Sequence, residues 1–267
     1  MVLTVDSRID PTMKRIEELM ALSIELSETV GRTLPSVLKS LQMSKKYSHS
    51  AKALVGFIPK SGYLCNAILN TCITQDNYSS KILMRSLIEH VFIHLYIYTR
   101  TLKENSNEIG KKYYGSLKAK EDLDAMTKIG NYNKTAFPEK TVWSTKGTEN
   151  KRIRDEADEF RIERIFFYLI GNTDTKSEIF QKYTRDYLLY RIEQYTNFSS
   201  TVHGGPYAES ALAVEHAHKN KVLLELAEDA WLLHRNLVET TYLFASLLDD
   251  DASKSYEAIK AVGAQKT

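Results

Sequence analysis

Residues 79–98 read SSKILMRSLIEHVFIHLYIY, the most apolar helical stretch of the chain, and its reading decides the fold. Its strongly apolar part, Ile82 to Tyr98, is near the lower limit for a membrane span, yet it carries Arg85, Glu89, His90 and His94, which hydrocarbon does not accept without cost. The pattern therefore predicts a buried core helix. Just before it, residues 63–73 have the same helical character, and Gln75-Asp76-Asn77 makes a tight turn. Together, residues 63–102 read as a helical hairpin.

Upstream, Asp10-Pro11-Thr12 starts a helix in which Ile16, Leu19, Met20, Leu26 and Val30 recur at three and four until Gly31. A second helix runs from Pro35 to Ile58, where Pro59 and Ser61-Gly62 end it. Downstream, residues 103–129 are charged and weakly periodic, enough for one helix or two. Residues 130–151, with Asn131, Asn133, Pro138 and Gly147, read as an exposed loop. Residues 152–170 resume a helix, and 175–201 form a tyrosine-rich one whose Tyr183, Tyr187, Tyr190 and Tyr195 suit core packing. His203-Gly204-Gly205-Pro206 breaks it. A long helix then reaches Leu248, and a short one over 253–262 precedes a mobile C-terminal end.

With only 11 Gly and 5 Pro, the chain lacks the punctuation of a many-stranded sandwich or barrel. The expected fold is all-α: a single helical-bundle domain over residues 1–267, of about eight or nine helices. Lys and Arg number 36 against 34 Asp and Glu, a formal charge of +2, so no bulk field draws in nucleic acid or membrane. Any binding must be local. The N-terminal residues lack the charged-then-apolar pattern of a secretory leader, and Cys65 and Cys72 suit two buried small side chains, so the expected setting is cytoplasmic.

Two places can hold chemistry. Arg85 and Glu89 are one helical turn apart and can pair, either as a structural ion pair or as a fork of donors aimed at an oxyanion. The second is YTNFSSTVHGGP at 195–206, in which His203 sits at a helix end before two glycines. There it either caps the helix or transfers protons to a ligand lying close to the backbone. His90 and His94 share a face but lack a third ligand. His216 and His218 are two apart, and two positions on a helix cannot chelate one ion. Neither a metal nor a cofactor is expected.

The stretches NAILNTCITQDNYSSKILMRSLIEHVFIHLYIY (66–98) and YRIEQYTNFSSTVHGG (190–205) together resemble an uncharacterised, mostly bacterial family of all-helical proteins. In that family an Arg-x-x-x-Glu helix is followed by a distal Ser-x-x-Val-His-Gly turn, matching Arg85, Glu89, Ser200 and His203. The family is similar in outline to the HEPN (higher eukaryotes and prokaryotes nucleotide-binding) superfamily, which includes metal-independent ribonucleases of toxin and antiphage systems. Arg85-Ser-Leu-Ile-Glu-His90 fits the HEPN spacing of Arg, four to six residues, then His. On a regular helix those two side chains diverge by about 140°, so a two-segment site of Arg85, Glu89 and His203 is physically better.

The resemblance implies an HEPN-like protein acting on RNA, as a homodimer, with a protein partner from the same defence system. Arg85, Glu89 and His203 would be catalytic, with Ser200, His90 and Asn197 contacting the substrate. The rival reading is a non-catalytic interaction module. A basic face made of Lys111, Lys112, Lys118, Lys120, Arg152 and Arg154 would favour RNA.

Overall fold

A computed structural model describes residues 10–137, 147–172, 178–203 and 219–263, and every regular element among them is helical. Helix α1 spans Pro11–Met43, α2 Ser48–Ile73, α3 Asn77–Glu104, α4 Glu108–Lys112 and α5 Lys118–Ala136. They are followed by α6 (Thr148–Ala157), α7 (Ile162–Gly171), α8 (Glu178–Val202), α9 (Lys219–Leu248) and α10 (Ser253–Ala261). One π-helical turn, Tyr113–Leu117, joins α4 to α5. The chain is all-α, as its composition indicates, and no helix among the described residues is long and apolar enough to cross a membrane.

Two expected breaks do not occur. Gly31 and Pro35 lie inside α1, and Pro59 lies inside α2. An interior proline forfeits one backbone bond and crowds the preceding turn, a cost of roughly 3 kcal/mol. Val37 and Leu41 are buried beyond Pro35, and Cys65, Ile68, Leu69 and Cys72 beyond Pro59. Burying each large apolar side chain contributes about 1.5–3 kcal/mol, so the helices continue. The expected loop at 130–151 is also shorter, because α5 continues to Ala136 and α6 begins at Thr148. Residues 138–146 lie outside the described residues, as do the Gly-Gly-Pro break, His216, His218 and the C-terminal end.

The helices cluster into two compact units. The first draws on Met1–Ser40, Gly56–Val91 and Asp186–Thr267. Ile16, Leu19, Leu26, Phe57, Leu69 and Tyr242 are among its fully buried side chains. Short polar bridges join its helices: Ser23 donates to Asn66 at 2.7 Å, Ser61 Oγ meets His234 Nδ1 at 2.9 Å, and Thr71 and Ser80 pair at 2.8 Å. The α2–α3 turn is as expected. Gln75 takes positive φ, the Asp76 N–H closes on the Thr71 carbonyl at 2.8 Å, and the Asp76 carboxylate caps α3 through the Ser79 N–H at 3.0 Å.

The second unit draws on Leu41–Val55 and Phe92–Arg185. Its core is aromatic: Phe92 meets Phe166 edge-on at 4.6 Å, and Tyr96 meets Tyr168 at 5.1 Å. Arg100 lies over both tyrosine rings and bonds Glu104 and Glu159. The start of α2 is tied to α4 by Asn107, which accepts the Ser50 N–H at 2.9 Å. Gly110 packs against this same junction, where a Cβ would lie within 2.6 Å of the backbone of both His49 and Ser50. Neither backbone can yield, so Gly110→Ala is expected to destabilise by about 2–3 kcal/mol in chemical denaturation.

Two histidines are buried, His94 in the second unit and His234 in the first. Burial pushes His94 down to about 3 and His234 down to about 4. Unfolded imidazoles take up a proton near pH ~6.5, so below that pH the unfolded chain binds more protons than the folded one. Stability should be level above about pH 7 and fall as the pH drops from ~6.5 toward 4, by about 1 kcal/mol per pH unit for each ring. Urea midpoints measured across that range test this, and a midpoint that rises toward acid would contradict it.

Candidate functional site

In the first unit, α3 and α8 bring together the two segments that stand out in the sequence. Arg85 Nε donates to Ser199 Oγ at 3.1 Å, Nη1 to Glu89 at 3.0 Å and Nη2 to the Tyr195 hydroxyl at 2.8 Å. Its guanidinium carbon lies 4.8 Å from the Tyr195 ring centre. These bonds use three of five N–H donors, leaving one on each terminal nitrogen. The Arg85 and Glu89 side chains are 27% and 37% exposed, so the pair is half-buried.

Helix α8 runs one turn beyond Ser199, to Val202, and the His203 N–H donates to the Ser199 carbonyl at 3.3 Å. Tyr195, Ser199 and His203, each four residues apart, therefore follow one stripe of α8. His203 is exposed at the end of that stripe. Its N–H serves the cap, and Arg85 donates its three bonds to Ser199, Glu89 and Tyr195, none of them to His203.

The other expected substrate contacts lie beside this stripe. The Ser200 hydroxyl donates back to the Thr196 carbonyl at 3.3 Å, and Asn197 is exposed on the neighbouring face. His90 is half-buried: its Nδ1 is 2.7 Å from the Ser86 carbonyl, and its ring meets Phe57 edge-on at 5.9 Å. Ser199 and Tyr195, rather than Ser200, reach Arg85. The signal that finds them is the four-residue spacing back from His203, visible once α8 is drawn as helix to its last turn. Among the described residues, no three His, Cys, Asp or Glu side chains gather in a group that could hold a metal ion.

A second arginine on α8 carries the structural load. Arg191 is buried, with Nη2 2.7 Å from Asp229 of α9, and the two side chains are only 4% and 14% exposed. Gln194 accepts from Arg191 at 2.7 Å and donates to Asp229 at 2.7 Å. The half-exposed Tyr187 and Tyr190 lie 5.0 and 5.1 Å from the guanidinium, so these tyrosines cover a cation instead of filling a core. Burial works against the Arg191 charge, but the Asp229 bond and its neighbours outweigh it and hold the group above its ordinary value.

In the second unit, a cleft of about 410 Å³ is lined by Lys111, Lys112, Arg152, Ser116, Glu108 and Glu156 among others. Five of the six cations of the basic face expected there are paired, and exposed Lys118 has no ion-pair partner among the described residues. Lys111 pairs with Glu108, Lys112 with Glu159, Lys120 and Arg154 with Asp124, and Arg152 with Glu149 and Glu156. No family model, curated protein or solved structure matches the chain.

The contrast between the two arginines is measurable. Arg191→Met strands a buried Asp229 carboxylate and should cost about 3–5 kcal/mol. Arg85→Met leaves Glu89 hydrated and should cost about 1 kcal/mol. Urea denaturation of both variants checks the order, and the reverse order would make Arg85 the structural residue.

Proposed function

We propose that this chain acts on RNA as an HEPN-like, metal-independent endoribonuclease of a cytoplasmic toxin or antiphage system. One observation carries the reading: two segments more than a hundred residues apart, each singled out by sequence, meet at a half-exposed arginine that keeps donors in reserve.

In this mechanism a phosphodiester settles on Arg85, whose remaining N–H groups bond the non-bridging oxygens and stabilise the charge that grows on the phosphorane. Glu89 and Tyr195 hold the guanidinium in place. His203 takes the proton from the 2′-hydroxyl as that oxygen attacks phosphorus. The P–O5′ bond breaks, giving a 2′,3′-cyclic phosphate and a 5′-hydroxyl whose proton comes from water. Asn197 and Ser200, beside the stripe, would contact the flanking nucleotide. The paired cations of the second unit favour a second reading, a non-catalytic module that docks a protein partner of the same system.

Labelled RNA incubated in EDTA with wild-type protein and His203→Ala separates the two. The ribonuclease reading expects cleavage to cyclic-phosphate ends and a loss of at least about 100-fold in His203→Ala, with circular dichroism unchanged. A His203→Ala variant that cuts as fast as wild type, or a wild type that cuts no RNA, would leave the docking reading.

A further inference from the structure

The cleft of about 410 Å³ in the second unit has the volume of a small-molecule site, which runs to ~300–1,000 Å³. Part of its lining is the π-helical turn Tyr113–Leu117, a distortion of regular helix that recurs where proteins bind ligands. Two residues of that turn, Gly115 and Ser116, line the cleft. Ser116 is buried and donates to Glu156, whereas a Cβ added at the exposed Gly115 would meet nothing within 4 Å. The backbone there is open to an occupant.

The two walls run antiparallel: Ser116 meets Glu156, and Lys112, four residues earlier, meets Glu159, three residues later. Glu108 and Lys111 of α4 therefore stand toward one end of the cleft, and Glu149 and Arg152 of α6 toward the other. Each end carries one ion pair formed within a single helix, Glu108 with Lys111 at 2.6 Å and Glu149 with Arg152 at 2.6 Å. All four side chains are more than half exposed, and exposed pairs of this kind hold weakly. Among the described residues, no ion pair joins one end to the other.

An occupant with charge of one sign can take over a single pair, at one end. One with opposite charges at its two ends can take over both. Lys111 and Ala119, which lie toward opposite ends, are eight residues apart, about 12 Å along the helix, and an extended chain spans about 3.3–3.6 Å per residue. We propose that the cleft binds a free di- or tripeptide, its carboxylate on Arg152 and its ammonium on Glu108, with the chain laid over Gly115. The guanidinium fork matches a carboxylate with two parallel N–H bonds, which a lysine cannot do, so the carboxylate end belongs at Arg152. Glu149 is then released to water in the first turn of α6, where the helix dipole favours its charge. Glu156 keeps its bond from Ser116, and Ile153 offers apolar surface to a side chain of the peptide.

Isothermal titration of the full chain with the tripeptide alanyl-leucyl-alanine tests this. The wild type should bind with a Kd on the order of 100 µM. Acetylating the peptide's amine, amidating its carboxylate, or Arg152→Gln in the protein should each weaken binding at least about tenfold, and Gly115→Leu, which fills the cleft, should abolish it. Glu108→Gln should weaken the free peptide but not the acetylated one, because the two changes remove the same contact. Glu108, Gly115 and Arg152 are exposed, so circular dichroism should not change. The proposal is overturned by a wild type that binds no peptide at ~5 mM, by blocked peptides that bind as tightly as the free one, or by a Gly115→Leu variant that still binds. RNA cleavage by His203 is a separate matter that none of these outcomes decides.

Discussion

The ion pair between Arg191 and Asp229 fixes the register of α8 in the first unit. A guanidinium removed from water on all sides is tolerated only with its counter-charge in place, and here the second carboxylate oxygen of Asp229 is bonded by Gln194 of the same helix. Shifting α8 by one residue along or around its axis would unmake both bonds and move Tyr187 and Tyr190 off the cation. Because a helix is stiff, fixing residue 191 also fixes residues 195, 199 and 203. The stripe that meets Arg85 is therefore positioned by the Arg191–Asp229 pair.

Small hydroxyl groups play a similar part between helices. Ser23, Ser61 and Thr71 each bond a polar group on a neighbouring helix, and each also suits close helix approach because it is short. His234 is accepted at such a crossing because Ser61 meets one ring nitrogen and burial keeps the ring neutral, while Gly62 leaves room for it: a Cβ there would come 3.4 Å from His234 Cε1. A side chain larger than serine at 61 would need a different distance between α2 and α9.

What could be read from the sequence follows from which forces are local. The α2–α3 hairpin is legible because Gln75 and Asp76 are turn residues and residues 79–98 are apolar almost throughout. The helix ends predicted at Gly31 and Ile58 do not form, since a proline's cost is local and visible while the burial that offsets it is contributed by distant segments. Tyr187 and Tyr190 look like core residues until their cation is found. The Arg191–Asp229 pair spans 38 positions and leaves no periodic trace. Arg85, Glu89 and His203 were visible because each is an ionisable group in apolar or irregular surroundings. The sequence does not separate Ser199 from Ser200, because the distinction turns on how far α8 extends, and helix ends are the least legible feature of a sequence.

The near-balance of charge takes on a spatial meaning in the second unit. Arg100, Lys112 and Glu159 form one network, Arg152 with Glu149 and Glu156 another, and the cleft between α4 and α6 is walled by side chains that already neutralise each other. Such a surface offers little to a polyanion, because each phosphate would have to displace a carboxylate already in contact.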